Sequence, residues 1–178
     1  GTRGEKYPLH SLLDYAKVKG ASANTASVGL LLKAHPQAIS KKDKHGNIPL
    51  HHSCYSEANI EVFAMLLHAS KGDLMAKNEF GHTPLHAACA NDVPTIIIDL
   101  LVKASPGLVR AVDREGNTAL HLAFSQRASV ALKSRLIYHG GESLFGMVNE
   151  RGQSPFQQCL VEDVYSVIRA MPHVVVSQ

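Results

Sequence analysis

Eleven histidines and three cysteines are the residues of this chain best suited to metal binding or nucleophilic chemistry. Cys54, Cys89 and Cys159 lie far apart, with neither a CxxC pair nor the Cys/His spacing of a zinc site, so the sequence supports no shared ion and no disulfide framework. A thiol nucleophile also needs an activating base, and nothing in the sequence places a His or Lys beside any of the three. No nucleophile elbow frames a serine, and no glycine run builds a phosphate-cradling loop. The histidines are ordered in a different way. His10, His51, His86 and His121 each follow Pro-Leu or Ala-Leu, at intervals of 41, 35 and 35 residues. His51 and His52 are adjacent, and adjacent residues on a helix do not face one another. Recurrence at a near-constant interval points to a repeated element that positions each copy.

That element is visible in the glycines Gly46, Gly81, Gly116 and Gly152, which fall 35, 35 and 36 residues apart. Three residues after each comes a tetrad or its remnant: Pro49-Leu50-His51-His52, Pro84-Leu85-His86-Ala87, Ala119-Leu120-His121-Leu122 and Pro155-Phe156-Gln157-Gln158, with an earlier copy at Pro8-Leu9-His10-Ser11. Proline suits a first helical position, where its missing N–H costs nothing. Thr83 and Thr118 stand where a hydroxyl caps the orphan amides. Second helices are predicted over Ile60–Ala69, Thr95–Ala104, Val130–His139 and Val164–Met171 from apolar spacing, with stops at Pro36, Gly72, Pro106 and Gly140. The pattern gives one domain over residues 1–178, divided into repeats at about 7–42, 43–77, 78–112, 113–148 and 149–178.

The stretches Asp113-Arg114-Glu115-Gly116-Asn117-Thr118-Ala119-Leu120-His121-Leu122-Ala123 and Asn78-Glu79-Phe80-Gly81-His82-Thr83-Pro84-Leu85-His86-Ala87-Ala88 resemble the ankyrin-repeat signature, Asp-x-x-Gly-x-Thr-Pro-Leu-His-x-Ala. The resemblance implies an all-α solenoid of stacked helix-turn-helix units with β-hairpin-like turns. It implies that the recurring histidine hydrogen-bonds turn backbone and links neighbouring repeats, and that the row of histidines, a repeat apart, shares no ion. Repeats of 35 residues exceed the family's usual length of about 33, because Ala34–Ile39 and Ala104–Val109 replace the usual connector and are expected to add a helical turn. Lys19–Thr25 reads as a long inter-helix loop. The last copy keeps only Gly152 and Ser154-Pro155, as a terminal capping repeat does.

Function follows as an expectation. The chain should be a non-catalytic interaction module or scaffold that holds a protein or peptide in a concave groove, within a larger protein and without cofactor or metal. The alternatives are a regulatory domain of a multidomain enzyme, or nucleic-acid binding. Residues 1–50 hold eight Lys/Arg against three Asp/Glu, enough to steer an acidic partner but sparse beside the patches of nucleic-acid binders. The longest apolar run, Val93–Val102, is interrupted by Asp99 and falls short of the roughly 20 residues a membrane span needs. Unpaired cysteines suit a reducing, cytoplasmic setting, and a nuclear one is compatible. Turn positions expected to meet the partner are Lys44, His45 and Asn47; Glu79, Phe80 and His82; Arg114 and Asn117. Tyr55, Asn91 and Gln126 join them from the ends of first helices, and Lys42 and Lys77 from just before two turns. Phe80 and Tyr55 are the expected aromatic anchors, beside a basic sector of Lys42, Lys44, His45 and Lys77.

Overall fold

The computed structural model describes residues 7–19, 25–55, 59–70 and 73–159. Helices and short 3-10 turns make up its regular structure, and the chain divides into two units, Gly1–Ala88 and Cys89–Gln178. Among the described residues no helix is long and apolar enough to cross a membrane.

In the first unit the first helices of successive repeats are α1 (Pro8–Lys19), α3 (Pro49–Tyr55) and α5 (Pro84–Ala90), within which the division between units falls. The second helices are α2 (Thr25–Ala34) and α4 (Ile60–Ala69). Helix α1 packs on α3 and α2 packs on α4, so first and second helices form two layers around one core. Helix α4 begins where Asn59 accepts a hydrogen bond from the Glu61 amide at 2.9 Å, a cap the sequence pattern did not single out. Val62, Phe63 and Leu66 on its inner face are fully buried. Burying a side chain of the size of Phe63 contributes about 1.5–3 kcal/mol.

The second unit repeats this plan with α6 (Thr95–Ala104), α7 (Ala119–Ser125) and α8 (Val130–Gly140). Helix α8 packs on both α6 and α7, burying Ile97, Leu101, Phe124, Leu132, Leu136 and Ile137. Helix α8 ends one residue beyond the predicted last residue, at the expected stop, Gly140. A Cβ there would overlap the Leu144 side chain, and the reversal falls instead on Gly141, whose φ is +65°. The expected extra turns are present as 3-10 segments at Pro36–Ser40 and Pro106–Arg110. Pro155–Gln158 forms a 3-10 turn where earlier copies open a helix. The predicted helix over Val164–Met171 and the middle of the Lys19–Thr25 loop lie outside the described residues.

The turns are hairpin-like. Asp43, Asn78, Asp113 and Asn149 each donate their amide to the carbonyl four residues on, at 2.9–3.0 Å. Glycine is required at the tips, where Gly46 and Gly116 have φ of +76° and face the backbone of the next turn at Glu79 and Glu150.

Candidate functional site

The turns of the first unit are built around two side chains. The Asp43 carboxylate accepts the amides of His45 and Asn47, both at 2.8 Å, and the Asn78 side-chain oxygen accepts those of Phe80 and His82 at 2.9 and 3.0 Å. The two are joined by a directional ladder, in which Asn78 Nδ2 donates to Asn47 Oδ1 at 2.9 Å and Asn47 Nδ2 donates to Asp43 Oδ2 at 3.3 Å. The Glu79 amide donates to the His45 carbonyl at 2.9 Å, which closes the contact between turns. Burial acts to raise the Asp43 pKa, but hydrogen bonds from His52, Asn47 and His45 outweigh it and hold the group at about 2.

The recurring histidines bind turn backbone as the resemblance implied. His51 Nδ1 accepts the Ile48 amide at 3.3 Å, which leaves Nε2 to donate to the His82 carbonyl at 2.9 Å. Burial lowers the His51 pKa to about 4, so the neutral ring serves. His10 meets the Asn47 carbonyl at 3.0 Å, and burial lowers its pKa as well. In the second unit Thr118 and His121 make a reciprocal cap, and His121 Nε2 lies 3.0 Å from the Gln153 carbonyl.

Placement of the expected partner residues is uneven. Asn47 and Asn117 are buried, because each spends its amide inside a turn ladder; this corrects the expectation that they face outward. Tyr55 is half-buried and its hydroxyl accepts from Asn78 Nδ2 at 3.3 Å, with burial pushing its pKa up to about 12, so much of this ring serves the interior. His82 is half-buried too, its ring stacked on His86 with centroids 5.7 Å apart.

The remaining first-unit residues share one surface. Lys42 Nζ donates to the Lys77 carbonyl at 3.1 Å, and His45 pairs with Glu79 at 2.6 Å. Lys44 is exposed, and Phe80 is 58% exposed, its ring tilted against His82. In the second unit Asn91, Arg114 and Gln126 are exposed. Its turn tips carry a different pair, Glu115 with Arg151 at 3.4 Å.

Sequence reasoning missed His52. Its two ring nitrogens meet Asp14 at 2.9 Å and Asp43 at 2.8 Å, tying α1 and α3 to the turn between them. Spacing gave no hint, because both acids are remote from it in helical register. It also missed the exposed Tyr138, with Arg135 above its ring and Asp99 holding both Arg135 and His139.

Among the described residues no group of three or more His, Cys, Asp or Glu is placed to hold a metal ion. Cys54 is fully buried and its thiol is pushed up to about 12 by burial, far from a reactive thiolate.

Residues 59–143 match the family model of ankyrin repeats, in three copies. Over these residues the chain carries ankyrin repeats, and the described residues form an all-α fold. No curated protein matches it. Ankyrin repeats are in general protein–protein interaction modules and are generally non-catalytic.

Proposed function

We propose that the chain holds a partner protein or peptide on the turn face of its first unit, with Phe80 as the anchor. One observation carries the reading. At the corresponding tip positions His45 pairs with Glu79 and Glu115 pairs with Arg151, whereas Phe80 lies tilted against the His82 ring, 5.8 Å between centroids, and stays 58% exposed. An aromatic ring held on a rigid turn loses little entropy on binding, and such residues dominate interface energetics. The Asn78 oxygen, which accepts the Phe80 amide, supplies that rigidity. The module would act without cofactor, as part of a larger protein. The free, fully buried thiol of Cys54 supports an intracellular setting.

A photocrosslinking residue introduced at position 80 tests this, with the same residue at Leu30 on α2, another exposed site, as control. Crosslinking of a protein from position 80 and not from position 30 is expected. Identical products from both positions, or none from position 80, would remove the turn face as the site.

A further inference from the structure

The charge on this face is sorted by sign. Its carboxylates already have partners within the chain: half-buried Asp43 accepts two turn amides and two side chains, and the exposed Glu79 accepts from His45. Its ammonium groups point outward. Lys41, Lys42 and Lys44 are exposed, and Lys42 uses a single donor to reach the Lys77 carbonyl. Where the first unit has Lys42 and Lys77 before its turns, the second has Val112 and Val148, and its tip charges cancel in the Glu115–Arg151 pair.

The type of cation narrows the partner. Between residues 7 and 88 there is no arginine, so every permanent positive charge in the described part of this unit is a lysine. Lysine is a mobile point charge, while arginine provides the planar fork that reads a single phosphate or carboxylate bidentately. A lysine-only sector responds to charge density along a segment more than to one modified residue. The sector covers two turns with one exposed aromatic, short of the groove and stacking platform that track a polynucleotide backbone.

We infer that the first unit's turn face docks an extended protein segment rich in Asp and Glu that carries an apolar side chain, the apolar group on Phe80 and the carboxylates against Lys42 and Lys44. This rests on the proposed protein-binding reading of the same face. Glu79 is then an internal competitor, holding His45 and repelling the incoming acids.

The test is selection of random displayed peptides on the whole chain, followed by anisotropy titration of the selected peptides at low and raised salt. Acidic peptides with an apolar residue are expected. Lys42→Glu/Lys44→Glu should weaken them by about tenfold and Phe80→Ala by a similar factor. Glu79→Gln should tighten binding, and Lys103→Glu, an exposed site on the second unit, should leave it unchanged. Circular dichroism checks that each exposed-site variant is folded. If Phe80→Ala weakens binding while the lysine reversals do not, or the selected peptides show no acidic bias, the acidic partner is refuted and the protein-binding face stands. If no peptide is selected, or none responds to Phe80→Ala, both fail. If a single-stranded oligonucleotide displaces the peptides with a steep salt dependence, the face belongs to nucleic acid and the inference is overturned.

Discussion

The two units build their turns on one frame and finish them differently. In each, an asparagine donates to an asparagine that donates to an aspartate: Asn78, Asn47 and Asp43 in the first unit, Asn149, Asn117 and Asp113 in the second. In each, a glutamate amide reaches back to the preceding tip, at His45 and at Glu115. The frame is therefore indifferent to what stands at the tips. The second unit spends its tips on an exposed ion pair between Glu115 and Arg151. The first has an exposed pair too, His45 with Glu79, but also leaves an aromatic ring and a row of lysines facing water. Residues inside the frame carry stability, and residues at the tips are free to carry recognition.

Breaking the cores should have the largest effect and should be equal in kind on both sides. Phe63→Ala in the first unit and Phe124→Ala in the second each delete a buried ring, and each should cost about 3–5 kcal/mol in urea unfolding. Phe124→Ala also removes the surface beneath Lys133, whose ammonium lies 5.2 Å from the ring centroid.

Acid should load the first unit over two windows. The folded His51 value of about 4 lies below its ordinary 6.5, so between these values the unfolded chain binds the extra proton. His51's contribution is complete above pH 6.5 and is lost as pH falls toward 4, up to an upper limit of about 3 kcal/mol. Asp43, held at about 2 against 3.8, gives stability present above 3.8 and lost as pH falls toward 2. Chemical denaturation across pH should show His51→Gln flattening the first window and Asp43→Asn the second. An unchanged slope would refute these assignments.

The ladders sharpen the comparison at intermediate size. Asn47→Ala and Asn117→Ala each leave a buried amide of the next turn short of a partner, at a cost of about 1–3 kcal/mol. Comparable losses in thermal melts are expected; a loss confined to one unit would show that the frames are not equivalent. The tips should matter least. Phe80→Ala and Arg151→Ala should both stay within about 0.5 kcal/mol of the parent protein.

Much of this plan was legible in the sequence, because it is written in local signals. Proline at the first helical position, apolar spacing and positive-φ glycine fixed α3 through α7 and the turn tips. The errors arose where a residue's role depends on a neighbouring repeat. Asn47 and Asn117 look like solvent-facing turn residues in their own repeat and are buried by Asn78 and Asn149 from the next one. His52 reads as a spectator until Asp14 and Asp43 are brought to it. On the surface, Phe80 was legible because turn tips are exposed by construction of the repeat, whereas Tyr138 lies on a second helix whose outward face has no marker in the signature.

The claim that the first unit's turn face binds while the second unit's turns only hold their frame is tested most directly by hydrogen–deuterium exchange with a bound peptide. The account predicts added protection over residues 43–47 and 78–82 and none over 113–117 and 149–153. Protection confined to the second unit's turns, or to α6 and α8, would contradict it.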